Sequence, residues 1–318
     1  MSIVELESGQ VVSDRPPRLS LARREALWGL FFISPWIIGF TLLTLIPMIA
    51  TFVFTFTNIN LAQAEPVRFV GLKNYETLLN DKQTWTSLGI TFKFAALALP
   101  VAVILPLLVA LLLHSRHLVG SGAFRILFFL PYVVPFVATV FIWGGMLNPE
   151  TGWINYALEA VGVANPPGWL EDPGWVYPGL MLIGVWGIGA GIIVYLAGLK
   201  GIPTDLYEAA RIDGAGPWQS LRHITIPMLT PVIFYTIVLS VVEVLQYFLV
   251  PLVLQEGTGE PGGSTMFYNL YLYKNFFTFQ NMSYGATLAW LLFLISLIIT
   301  LILFGTARRW VYYAGEAR

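Results

Sequence analysis

The chain has 318 residues, of which 57% are hydrophobic, 15% aromatic and only 11% charged. A water-soluble globular chain carries roughly 25% charged residues, so a soluble fold could not cover its own surface, and the aromatic content excludes a solvated coil. A net charge of −1 offers no basic face for nucleic acid. With no cysteine and three histidines (His114, His117, His223) there is no disulfide, no cysteine nucleophile and no expected metal site, which leaves a polytopic membrane protein.

In chain order, residues 1–27 form a basic arm with Pro16, Pro17 and several Arg. It does not read as a cleavable leader, because the apolar run behind it is too long and lacks a small-residue cleavage pattern. Six long runs lack Asp, Glu, Lys and Arg: 26–64, 94–115, 126–149, 173–199, 223–242 and 275–307. A helix crosses the bilayer with about 20 apolar residues, and in lipid every backbone group must be bonded internally. The expectation is an all-α polytopic protein with six transmembrane helices at 28–56, 88–113, 124–147, 177–199, 227–254 and 284–306. Twelve of the 17 Lys and Arg fall on the N-terminal side of the membrane, which places both termini in the cytoplasm. Lys93, one turn inside span 2, snorkels outward, and His114 and His117 sit at the interface.

Between the spans, the outer segment 69–81 (FVGLKNYETLLND) suits a short surface helix. The outer loop 148–176 holds Trp153, Trp169 and Trp175, either an interfacial aromatic belt or a platform for an external protein. The loop 255–283 starts with a Gly-rich turn and continues as MFYNLYLYKNFF. Prolines 35, 47, 100, 106, 131, 135, 231 and 251 are expected to kink or interrupt the spans, as is tolerated where helices line a cavity. In GVWGIGAG (184–191), Gly187 and Gly191 suit close helix packing better than nucleotide binding.

One cytoplasmic segment is too polar to span: KGIPTDLYEAARIDGAGPWQSLRH, 200–223. Asp205 with Glu208 three residues on suggests a capping box, opening a short helix over about 205–213. Gly-Ala-Gly at 214–216 breaks it, and Pro217 starts a second short helix. On these residues alone the segment is either a plain re-entry elbow or a docking device, and Glu208 either a helix-capping acid or a contact.

Glu208-Ala209-Ala210, then Gly214 three residues later, then Ile224-Thr225-Ile226-Pro227 nine residues after that, resembles the EAA loop of permease subunits in binding-protein-dependent ABC importers, with Ile226 where Leu is usual. The segments FVGLKNYETLL, FRILFFLPYVVP and LNPETGWIN are similar to the carbohydrate branch, which includes maltose, glycerol-phosphate and oligosaccharide permeases. The resemblance covers about 29–313. It implies a MetI-like type I importer permease in a bacterial or archaeal cytoplasmic membrane. The expected division is a cytoplasmic arm 1–27, a first helix with outer loop 28–83, a permease core 84–310 containing the coupling loop 200–223, and a tail 311–318. Implied partners are a second permease, an ATPase dimer, an extracytoplasmic solute-binding protein and membrane lipid. The chain has no phosphate loop of its own, so it is expected to be no enzyme and to hold no cofactor, ATP and Mg belonging to the partner ATPase.

The resemblance further implies that the EAA loop is the coupling helix, with Glu208, Ala209, Ala210, Asp213 and Gly214 facing the ATPase. For the substrate path it points to Tyr132, Gly187, Ser240, Val244 and Tyr247, positions that contact sugar in the maltose permease. The family's amide at the Val244 position is absent, with Glu243 beside it. Independently, Ser240, Glu243, Val244 and Tyr247 share one helical face by spacing. Glu243 is the sole acid in mid-span, where a charge costs roughly 2.5–3.5 kcal/mol unless it faces the interior. The expected function is the translocation subunit for a sugar or sugar-like solute. The alternative is an ion-coupled secondary transporter or channel using Glu243.

Overall fold

The computed structural model describes residues 20–62, 66–115 and 118–313. Expectations for Arg15, Arg18, Arg116, His117 and Arg318 lie outside the described residues. Among the described residues there are helices and one isolated bridge, between Thr57 and Phe69, and no strand. Contacts divide the chain into two units, Met1–Val53 and Phe54–Arg318.

The first unit is described by helix α1 (Leu21–Phe54), which buries none of its residues. A π-helical turn, Thr41–Leu45, ends two residues before Pro47. Proline lacks an N–H and its ring crowds the carbonyl four residues back, and widening the preceding turn relieves that conflict. The same device recurs at Leu221–Thr225, two residues before Pro227.

The second unit contains α2 (Lys73–Asn80), α3 (Lys82–His114), α4 (Ser121–Val133), α5 (Phe136–Met146), α6 (Trp153–Ala160), α7 (Val176–Trp186), α8 (Gly189–Lys200), α9 (Thr204–Ile212), α10 (Pro217–Leu254), α11 (Tyr268–Tyr273) and α12 (Met282–Trp310). Helices α3, α8 and α10 pack on one another, with α12 against α10 and α4 against α8. The six expected spans correspond to four long apolar helices and two bent pairs, α4/α5 at 102° and α7/α8 at 56°.

The α4/α5 corner follows from Pro135, which forces Val134 into extended backbone (ψ 132°) and ends the helix there. The α7/α8 corner has no proline; it falls at Gly187 and Ile188. Prolines 100, 106 and 231, expected to kink or interrupt the spans, lie inside continuous helices and do not interrupt them. Several helices also start earlier than apolarity suggests. Asp81 caps α3 by accepting the Gln83 N–H (2.9 Å), and Asn281 caps α12 by accepting the Tyr284 N–H (3.1 Å). Both extensions lie in the polar loops that join spans 1 to 2 and 5 to 6.

Within the second unit, the Thr57 and Ser283 hydroxyls are 3.2 Å apart, and the Ser283 N–H donates to Ile59 O (3.1 Å). The division in contacts falls after Val53. Residues 73–80 are helical as expected. Trp169 is half-buried. Its Nε1–H donates to Asn155 Oδ1 (2.8 Å) and its ring meets Trp175 edge-on at 5.4 Å. Trp153 and Trp175 are exposed, at 75% and 43%.

Candidate functional site: a coupling elbow and a central cavity

At one end of the second unit, residues 201–216 make the elbow between α8 and α10. Two expectations need correction. The backbone enters α9 at Pro203 with no side-chain cap, and Asp205 lies inside the first turn, so the Asp205–Glu208 capping box does not form. The helix expected at Pro217 is not separate either: it runs through the π turn into α10. The N-terminal capping bond is made there instead, with Gln219 Oε1 accepting the Gly216 N–H at 2.8 Å.

Helix α9 ends in a Schellman turn. The Ala215 N–H reaches Ala210 O (2.8 Å) and the Gly214 N–H reaches Arg211 O (3.1 Å), with Gly214 at φ +80°. No atom lies within 4 Å of where a Gly214 Cβ would stand, so glycine is there for backbone conformation, not for space. The elbow is held down by Tyr207, whose hydroxyl pairs with Thr225 Oγ1 (3.0 Å) while its ring packs on the Leu199–Leu229 cluster. Glu208, Ala209, Asp213 and Gly214 are exposed and Ala210 is half-buried. Ile212 stands 87% and Trp218 71% exposed at the tip.

The second feature is a cavity of about 510 Å³ between α3, α4, α7, α8 and α10. Tyr132, Gly187, Ser240, Glu243, Val244 and Tyr247 all line it. Tyr132 enters from α4 and Gly187 from the α7/α8 corner. The other four come from α10, although the helix loosens at 246–248, so Tyr247 is placed by a turn (Tyr247 N–H to Val244 O, 3.2 Å) and not by helical spacing. Gln246 is not on the lining, and its carbonyl accepts Asn269 Nδ2 (2.9 Å).

Glycine has three distinct uses at this corner. A Cβ at Gly189 would collide with the Phe128 carbonyl, so that glycine lets α8 touch α4. A Cβ at Gly191 would stand 3.1 Å from Pro106, which agrees with the expected close packing. Gly187 does not fit that expectation, because its side faces the open cavity.

Two lining rings, Phe94 and Tyr247, belong to an aromatic cluster. Phe94 lies 5.0 Å from Tyr247, 5.1 Å from Phe267 and 5.5 Å from Tyr177, mostly edge-on. The Lys93 ammonium sits 5.5 Å over the Tyr177 ring, off the cavity lining. Lining residues that sequence reasoning missed include Tyr235 and Thr236, one turn before Leu239 and Ser240, and Ala98, Ala102 and Pro106 on α3. Their spacing of four along each helix was the available signal. A second cavity of about 580 Å³, lined by Asn148, Glu171, Gln255 and Glu260 among others, holds none of the expected residues. Among the described residues no three His, Asp or Glu side chains could hold a metal ion.

Residues 85–314 match the family described as the inner membrane component of binding-protein-dependent transport systems. The chain belongs to that family. It is thus a multi-pass, non-catalytic permease subunit of an ABC transporter with a MetI-like fold, and the ion-coupled carrier or channel reading is set aside. The chain is 36% identical over 296 residues to the probable ABC transporter permease protein YesP of Bacillus subtilis, covering 92% of this chain and 94% of that one. It is 33% identical over 294 residues to the lactose transport system permease protein LacF of Rhizobium radiobacter, covering 92% and 97%. Among solved structures it resembles a bacterial ABC transporter involved in import of the acidic polysaccharide alginate, with a TM-score of 0.77 and 25% identity over 90% of this chain and 96% of that one.

Proposed function

We propose that this permease lines half of the translocation path of an ATP-driven sugar importer. The observation that supports this reading is the convergence of Tyr132, Gly187, Ser240, Glu243, Val244 and Tyr247 on one cavity. A sugar needs hydroxyl partners and an aromatic plate, and this lining offers both. A second permease completes the path, and an external binding protein delivers the solute.

The elbow is the cytoplasmic coupling helix, and both termini are cytoplasmic. Glu208 and Asp213 provide polar contacts to a separate ATPase, which binds ATP and Mg; Ala209 and Ala210 allow close approach. The exposed Ile212 and Trp218 supply apolar surface to bury there. Because Gly214 closes the helix in a Schellman turn and Tyr207 pins it to α10, displacement of the elbow moves α8 and α10 as rigid elements, and these flank the cavity.

The test is lactose uptake by proteoliposomes holding both permeases, the ATPase and the binding protein. Glu208→Lys should assemble normally and lose ATP-driven uptake. Filling the cavity with Val244→Trp should lose uptake while ATP hydrolysis continues. ATP-driven uptake at the normal rate by both variants would overturn the reading.

A further inference from the structure

The cavity is rich in hydrogen-bonding groups and has no positive charge. Among the described residues, its hydroxyls belong to Tyr132, Tyr235, Thr236, Ser240 and Tyr247, its only carboxyl is Glu243, and no Lys, Arg or His lines it. Thr236 returns its hydroxyl to Val232 O (3.0 Å). Among the described residues, the side chains of Tyr132, Tyr235, Ser240, Tyr247 and Glu243 make no hydrogen bond to another protein group, so their polar atoms are available to a ligand or to water. Lys93, the nearest cation in sequence to the lining residue Phe94, is turned onto Tyr177.

Given the proposed path, on which this inference rests, the geometry points to a charge filter: the cavity takes an uncharged polyhydroxyl sugar, and Glu243 turns away anionic counterparts such as uronates and sugar phosphates. An anion that leaves water needs a fixed cation or several converging donors. Glu243 supplies neither in either protonation state: ionised it repels, and protonated it offers one donor. Two like charges a few ångströms apart in a partly solvated site change affinity by about tenfold or more. Sugar hydroxyls, in contrast, donate to Glu243 and exchange bonds with the serine and tyrosine hydroxyls. The alginate importer of similar fold carries an acidic polysaccharide. A shared fold leaves that preference open, and side chains at the cavity decide it.

The complete transporter in lipid nanodiscs, without binding protein, is exposed to neutral disaccharides (lactose, maltose, trehalose, cellobiose) and to aldobiouronic acids of matched size. Saturation-transfer NMR reads the contact. At least one neutral sugar should give a signal about tenfold or more above its acid. Glu243→Gln should raise the acid signal several-fold, and Glu243→Lys should make the acid the preferred ligand. No signal from any neutral sugar, equal signals in the wild type, or a preference that Glu243→Lys leaves unmoved would overturn the filter. Gly187→Trp separates this from failure of the path itself. The Gly187 backbone has φ −91° and its Cβ would meet only Gly184 O at 3.6 Å, so the ring has room in the cavity; Val244→Trp is the second variant. If sugar signals and uptake survive both, the cavity is not the path and both readings fall. If both variants abolish the neutral signal while the wild type binds acid equally well, the path stands and the filter alone falls.

Discussion

Asp81 and Tyr284 are 203 positions apart, yet the Tyr284 hydroxyl donates to Asp81 Oδ2 at 2.6 Å. The same oxygen accepts from Tyr271 (2.7 Å) and Thr84 (2.7 Å), and Oδ1 accepts the Gln83 N–H. One carboxylate thus ties the start of α3 to α11 and α12. Burial raises the Asp81 pKa, but the bonds from Tyr284, Tyr271, Thr84 and Gln83 outweigh it and leave the carboxyl below its ordinary value. The Tyr271 hydroxyl is pushed up to about 12 by burial and by its bond to Asp81.

A depressed Asp81 pKa stabilises the fold fully above the unfolded aspartate value of about 3.9, and that contribution is lost as pH falls through the folded value. Melting temperature in detergent, followed from pH 7 to pH 3, should therefore fall more steeply in wild type than in Asp81→Asn. At neutral pH the variant should be less stable by about 2 kcal/mol, since charge-assisted bonds are replaced by weaker ones.

Two glycines should respond oppositely to alanine. Gly189→Ala drives a methyl into the Phe128 carbonyl and should cost about 2 kcal/mol or more, by overpacking α4 against α8. Gly89 lies inside α3 with nothing within 4 Å of its Cβ. Gly89→Ala should stabilise by about 0.5–1 kcal/mol, because glycine loses more backbone entropy on folding. Parallel thermal denaturation checks both signs.

Gly214→Val should cost about 1–2 kcal/mol, the penalty of a left-handed backbone for a side-chain-bearing residue. Gly214→Asn should cost less and keep most of the ATP-driven uptake, since Asn tolerates that region. Uptake should then rank glycine, asparagine, valine. Equal loss with Asn and Val would mean the position needs space at an interface, not conformation.

Trp169→Phe retains the ring but removes the Nε1–H bond to Asn155 Oδ1. Asn155 also donates to Pro149 O and Pro167 O, at 3.1 and 3.2 Å, so its side chain staples the loop before α7. The variant should lose about 1 kcal/mol in thermal denaturation, whereas Trp153→Phe, on an exposed ring, should change stability by less than about 0.5 kcal/mol.

The all-α polytopic architecture was legible in the sequence, because long charge-free runs have no other stable use in a bilayer. The elbow was legible through local chemistry: Gly214 at the turn and Pro217 at a helix start need no distant partner. The apparent capping box at Asp205 misled for a related reason. Pro203 fixes where the helix begins, and the acid falls two residues too late to cap it.

Tertiary structure alone decided the rest. Pro135 breaks span 3 while Pro100, Pro106 and Pro231 sit inside continuous helices, and nothing in the local sequence separates these cases. A missing hydrogen bond is tolerated or not according to what packs beside it. Tyr132, Gly187 and Glu243 could be named one at a time, but whether they share a cavity depends on the 56° corner between α7 and α8. Beside that corner, Gly189 lies against a carbonyl of α4. Local sequence sets which residues can enter lipid or end a helix; steric contact between distant segments sets where helices bend, and so where the open space lies.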